Sequence, residues 1–196
     1  MTLSKKMLRQ QALQQRQSLT TEQAEMLGAQ IIQYVIKNIR WTNFTCVHVY
    51  LSCKKRKEIN TWPLLDYLWS AQKHITTVTN RLDVVKKQID CCIVNRNTVL
   101  EKSAFDIFEP VKNTEKINPQ QIDLMILPLL ACDNQGFRLG YGKGYYDHLL
   151  ARCAASMQRI GINYFLPLAE KIPQEAHDLP IHQLVLPGDC LKFQSR

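Results

Sequence analysis

The chain has 196 residues, 45% of them hydrophobic, and a formal charge of +8, which predicts one domain, residues 1–196, around one sizeable core. Its apolar runs fall short of the ~20 residues that span a bilayer, and none follows Lys5, Lys6 and Arg9, so no membrane partner is expected and a soluble, cytoplasmic protein is. The charge permits nucleic acid but suits phosphate and carboxylate ligands equally, while seven cysteines with no C-x-x-C pair predict reduced core thiols, against a disulfide framework or zinc cluster.

Residues from Leu3 to about Gln17 predict a first helix with Ser4 as its cap. Spacings of four and seven residues bring Lys5, Arg9 and Arg16 into one arc, which is either a solvated basic face or a grip on an anion. Thr20 to Gln23 reads as a capping box, and Ala24, Leu27, Ile31, Ile32, Val35 and Ile36 follow at helical spacing. Thr45 to Ser52 predicts a strand, in which His48 is read as a packed core histidine because no partner at metal spacing accompanies it. A basic segment, Lys54 to Lys57, leads to Glu58 at the strand's exit, where ligand-binding loops of α/β proteins lie. Asn60 or Thr61 can then cap a helix whose apolar side holds Leu64, Leu65, Leu68 and Trp69.

Residues 74–78 and 88–94 predict further strands, and 80–87 and 95–105 give no clear pattern. Leu124 to Leu130 is an apolar run that predicts a buried strand. The stretch Gly136-Phe-Arg-Leu-Gly-Tyr-Gly-Lys-Gly-Tyr-Tyr-Asp147 follows, with four glycines in nine residues, before a helix predicted over Tyr145 to Met157. Alternating glycines suit a loop that aims N–H groups at an anion, with Arg138 and Lys143 as counter-charges, and they suit a tight structural turn as well. The spacing matches neither the Walker A loop nor the dinucleotide fingerprint. Residues 159–163 and 183–186 predict the last strands, with Asp178 before a proline turn between them. Strands alternating with helices imply a three-layer α/β domain with a mainly parallel sheet.

The string from Ile122 to Leu150, taken whole, closely resembles the signature of the 5-formyltetrahydrofolate cyclo-ligase (5,10-methenyltetrahydrofolate synthetase) family. Shorter matches lie in the family's order at Lys5-Lys-Met-Leu-Arg9, Glu58-Ile-Asn-Thr61, Ile107-Phe-Glu-Pro110 and His177-Asp-Leu-Pro180.

That resemblance implies a mixed, Rossmann-like sheet in a monomer that uses ATP and Mg²⁺ to turn 5-formyltetrahydrofolate into 5,10-methenyltetrahydrofolate. Carried over position by position, it implies nucleotide contacts at Lys5, Lys6, Met7, Leu8 and Arg9 and along Arg138, Leu139, Gly140, Tyr141, Gly142, Lys143, Gly144, Tyr145 and Tyr146. Folate contacts are implied at Leu51 and Glu58 and shared with the loop at Tyr141, Gly142, Lys143, Gly144 and Tyr145. Lys143, Arg138 and Tyr145 are the implied catalytic set, and Asp147 and Asp178 the implied Mg²⁺ ligands, acting as hard oxygen donors directly or through water. The basic Lys54 to Lys57 segment departs from the family pattern. Two other classes fit some of the residues: a basic RNA-binding module, favoured by that segment, and a folate- or nucleotide-binding protein without turnover.

Overall fold

The computed structural model describes residues 3–103, 107–176 and 178–193. Its helices are α1 (Lys5–Ser18), α2 (Thr21–Asn38), α3 (Trp62–Ala71) and α4 (Tyr145–Leu150). In chain order its strands are β1 (Cys46–Val49), β2 (Thr76–Asp83), β3 (Gln88–Ile93), β4 (Leu100–Lys102), β5 (Phe108–Pro110) and β6 (Lys116–Ile117), then β7 (Leu124–Pro128), β8 (Ala131–Cys132), β9 (Arg138–Leu139), β10 (Gln158–Ile162), β11 (Gln183–Leu186) and β12 (Asp189–Lys192).

Local chemistry sets the first two helices. The Ser4 hydroxyl accepts from Met7 N–H at the start of α1, and Thr20 and Gln23 close a reciprocal capping box on α2. Eight strands form the main sheet in the order β12-β11-β10-β7-β1-β2-β3-β6, parallel from β11 through β2 and antiparallel at both margins. The expected mainly parallel, mixed α/β sheet is therefore present. Asp123 fixes the register at its centre, since its carboxylate accepts from the backbone N–H groups of Thr45 and Cys46 and so ties the start of β7 to that of β1.

The strands alternate between two cores. Val47, Val49, Leu124, Ile126, Ile160 and Ile162 pack beneath α2 and α3, whereas Cys46, Met125, Leu127 and Leu184 face Leu149 and Leu150 of α4. A third cluster joins Leu8 and Ala12 of α1 to Leu130, Ala131 and Leu139, which seats α1 on the β8–β9 hairpin.

Three expectations need correction. The strand predicted over 74–78 runs through Thr76–Asp83 and absorbs part of the patternless stretch, because cross-strand pairing with β3 extends it beyond the apolar run. The helix predicted over Tyr145 to Met157 stops at Leu150, and i→i+3 turns at Arg152, Cys153 and Met157 carry the remaining apolar positions into the core. The predicted strand Leu124 to Leu130 ends at Pro128, since the chain turns there into the β8–β9 hairpin. The glycine-rich stretch thus begins inside a hairpin, and only residues 140–144 form the loop that enters α4.

Candidate active site

The strand order reverses at the centre of the sheet. From β1 the chain proceeds outward to β2 on one side, and from β7 outward through β10 and β11 on the other. The loops leaving β1 and β7 therefore diverge and open a crevice at the carboxyl ends of the strands, the usual ligand position in open α/β sheets. A cavity of about 490 Å³ fills it, bounded by Tyr50, Leu51 and Glu58 after β1, by Pro128 and the glycine loop after β7, and by Lys5, Arg9 and Leu13 of α1.

The glycine loop forms one wall. Gly142 and Gly144 adopt φ of +88° and +73°, where a side chain is strained, and a Cβ on Gly142 would also press on Arg9, 3.0 Å from its Cζ. Arg9 Nε donates to the Gly140 carbonyl at 3.0 Å and locks α1 to the loop. A Cβ at Gly140 would meet no atom within 4 Å, so packing does not require this glycine, and its bareness leaves room for close approach of a ligand. Among the described residues, the backbone N–H groups of Tyr141, Gly142, Lys143 and Gly144 make no hydrogen bond within the protein, as an anion cradle needs.

The opposite wall is organised by Glu58. Its Oε1 accepts from the Tyr141 hydroxyl at 2.7 Å and its Oε2 from Cys53 N–H at 2.8 Å. Arg56 stacks on the Tyr141 ring with Cζ 5.0 Å from the centroid. Burial and then the Glu58 charge push the Tyr141 pKa well up, so its hydroxyl keeps its proton. Tyr145 and Tyr146 also line the cavity, and Tyr146 donates to Asn80 Oδ1 at 3.1 Å while its ring meets that of buried His48 edge to face.

Asp147 and Asp178 line the cavity, each against a cation. Asp147 pairs with Arg138, whose other terminal nitrogen donates to the Leu179 carbonyl at 3.0 Å. Arg138 is buried, which holds its pKa below the usual arginine range against the pull of Asp147 and Asp178. Asp178 accepts from Lys5 Nζ at 2.9 Å, and Glu175 does so at 3.1 Å. Burial works against the Lys5 ammonium, but the hydrogen bonds to Asp178 and Glu175 outweigh it and raise its pKa.

The family model that matches this chain, described as the 5-formyltetrahydrofolate cyclo-ligase family, runs along residues 1–187. The chain belongs to the 5-formyltetrahydrofolate cyclo-ligase family. It is 30% identical over 184 residues to the 5-formyltetrahydrofolate cyclo-ligase of Escherichia coli, covering 89% of this chain and 96% of that one. It is 25% identical over 187 residues to the cyclo-ligase of Haemophilus influenzae, covering 94% and 98%. Among solved structures, the 5,10-methenyltetrahydrofolate synthetase of Aquifex aeolicus superposes with a TM-score of 0.81 at 28% identity, over 98% of this chain and 94% of that one.

Against that family frame, the cavity brings together Lys5, Arg9, Leu51, Glu58, Asp147, Asp178 and the whole stretch from Arg138 to Tyr146. Lys6, Met7 and Leu8 do not line it: Leu8 is buried in the cluster under α1, and Lys6 and Met7 are exposed. Arg16 is absent from the cavity wall as well, so the arc shared with Lys5 and Arg9 does not present three cations to one ligand. His177 lies outside the described residues.

Asn80 and Leu82 of β2 and Ile89 of β3 also line the cavity and were not singled out by the sequence. The signal available was alternation along β2 followed by the hairpin, which a short apolar run conceals. Glu109, buried by the β4–β5 hairpin, accepts from Leu82 N–H at 3.3 Å and supports this wall from behind; burial raises its pKa.

The donor set fits Mg²⁺ brought in with a nucleotide. Among the described residues no three His, Cys, Asp or Glu side chains gather into a metal cage, but Mg²⁺ ordinarily uses one or two carboxylates plus phosphate oxygens and water. The basic Lys54 to Lys57 segment is engaged internally, with Lys57 Nζ donating to the Gln17 and Leu19 carbonyls at the end of α1 and Arg56 on Tyr141.

Proposed function

We propose that the protein converts 5-formyltetrahydrofolate into 5,10-methenyltetrahydrofolate with ATP and Mg²⁺, releasing ADP and phosphate. The observation that carries this reading is the union, in one cavity of about 490 Å³, of the Glu58 wall, the glycine loop and the Asp147–Asp178 pair, on a chain of this family. The names of the E. coli and A. aeolicus relatives agree with the conversion.

The formyl oxygen is a poor leaving group. Transfer of the γ-phosphoryl group to that oxygen makes it a phosphate ester; N10 then attacks the formyl carbon, its proton is lost, the C–O bond breaks and phosphate departs. No protein nucleophile is needed, and the buried thiols of Cys46, Cys91 and Cys132, pushed up to about 12 chiefly by burial, offer none.

Positioning and charge neutralisation are what the chain supplies. Arg9, Lys143 and the free N–H groups of residues 141–144 hold phosphate oxygens, with Lys143 on the exposed crest of the loop. Lys5 holds Asp178 in place, and Arg138 holds Asp147 directly and the neighbour of Asp178 through the Leu179 carbonyl. Glu58 has acceptor capacity left on both oxygens for the N–H edge of the pterin. Tyr141, Tyr145 and Tyr146 wall the site and exclude water. When bound at Asp147 and Asp178, Mg²⁺ supplies Lewis-acid neutralisation of the phosphates.

The test is methenyltetrahydrofolate absorbance after mixing the protein with 5-formyltetrahydrofolate, with ATP and Mg²⁺ each supplied or withheld. Product is expected only with both. Product that survives complete chelation of Mg²⁺ would remove the metal from the scheme, and product without ATP would remove phosphoryl activation.

A further inference from the structure

Arg16 is a charged residue buried to 3% exposure in α1, and among the described residues its hydrogen-bond partners are a hydroxyl and a carbonyl, with no carboxylate. Its Nη1 donates to the Tyr141 hydroxyl at 3.1 Å and its Nη2 to the Leu129 carbonyl, while Nε is buried without a partner. Such a burial is costly unless the charge is answered. Here the answer arrives through one intermediary, because the same Tyr141 hydroxyl donates to Glu58 Oε1.

The proton order in this chain has only one solution. A guanidinium can only donate and a carboxylate can only accept, so the hydroxyl must accept from Arg16 and give its proton to Glu58. Polarised from one side and drawn from the other, the hydroxyl makes a stronger bond to Glu58 than tyrosine alone would. Leu129 lies just beyond β7 and Tyr141 in the glycine loop, so Arg16 also ties the two ends of the β8–β9 hairpin together from beneath.

We infer that Arg16 is a positioning residue for the folate side of the site, acting through the Tyr141 hydroxyl to fix Glu58. The inference rests on the functional reading above in assigning Glu58 to folate. Arg16 lies outside the cavity and touches no substrate; its effect on Glu58 passes through the Tyr141 hydroxyl, while its bond to the Leu129 carbonyl holds the hairpin.

A double-mutant cycle isolates that atom. Arg16→Met, Tyr141→Phe and the double variant are compared by KM for 5-formyltetrahydrofolate and for ATP, with folate Kd from calorimetry and folding checked by circular dichroism. Each single change is expected to raise folate KM and Kd about tenfold, the effect of one lost charge-assisted hydrogen bond, with ATP KM within about twofold of wild type. The double variant should raise folate KM no more than either single one, because Arg16 has no path to Glu58 once the hydroxyl is gone. Effects that multiply, or an equal rise in ATP KM, would overturn the role and leave Arg16 as a structural cation. Should Arg16→Met fail to fold, Arg16→Gln, which removes the charge that polarises the hydroxyl, replaces it in the same cycle under the same criteria. Absence of folate binding and turnover in the wild type would overturn the functional reading instead, whereas wild-type turnover with multiplying effects overturns Arg16 alone.

Discussion

At Glu58 each carboxylate oxygen already accepts one hydrogen bond within the protein, one from Tyr141 and one from Cys53 N–H. An amide in its place must turn its NH₂ toward one of two donors, and the tyrosine cannot reverse its proton because Arg16, also only a donor, lies behind it. Glu58→Gln is therefore expected to cost about 1–2 kcal/mol of stability as well as raising folate KM about tenfold, with ATP KM within about twofold. Denaturant melts and steady-state kinetics check both parts, and a variant of wild-type stability would show that the Glu58 contacts are not the ones that matter. The same scale explains Arg138. The sequence reads Arg138 as a counter-charge for a bound anion; in the fold this buried guanidinium lowers its cost by pairing with the Asp147 carboxylate and donating to the Leu179 carbonyl.

Among the elements, α1 places Lys5, Arg9 and Leu13 on the cavity and Arg16 beneath Tyr141. Its C-terminal end is held from outside. The Nζ of Lys57, which stands at φ +47° in the basic segment after β1, reaches the Gln17 and Leu19 carbonyls, and a cation there also answers the negative end of the helix dipole. Lys57→Met should lower stability by about 1 kcal/mol while leaving folate KM unchanged in assays run well below the melting temperature. An unchanged denaturant midpoint would refute this pinning role. It also gives the segment's basic character a reason internal to the fold, which the departure from the family pattern did not supply.

For the whole molecule, the clearest pH dependence comes from the centre of the sheet. His48 is fully buried against Tyr146, neither ring nitrogen has a hydrogen-bond partner among the described residues, and burial lowers its pKa to about 4. Its folded pKa is thus below the unfolded one, so the stability it allows is present above pH ~6.5 and is lost as pH falls toward 4, where folding must hold the ring neutral. Between pH 7 and pH 5 the loss from this residue is on the order of 2 kcal/mol. Thermal melts of wild type and His48→Leu across that range should diverge, the variant losing less; parallel decline would place the sensitivity elsewhere.

What the sequence determined alone is what short-range chemistry controls. Ser4 and the Thr20–Gln23 box cap their helices through side chains three residues from the N–H groups they satisfy, and the stretches at Cys46–Val49, Leu124–Pro128, Gln158–Ile162 and Gln183–Leu186 became inner strands of the sheet because their mostly buried residues are covered on both faces. The glycine string and the ordered outer matches marked the stretches that the fold gathers around the crevice, since they survive as a linear pattern. Tertiary structure decided the rest. The strand over 88–94 was legible, but its antiparallel pairing with β2, the strands β6 and β12, the hairpin inside the glycine string and the early end of α4 were not, because short pairings across tight turns and at sheet margins leave no local period of their own. Helical spacing placed Lys5, Arg9 and Arg16 in one arc, but only the packing of α1 on the β8–β9 hairpin decides that Lys5 and Arg9 meet the cavity while Arg16 is buried behind Tyr141. A charge can be located from sequence; whether it faces a ligand or answers another charge depends on which surfaces are taken out of water, and that is settled when the layers close.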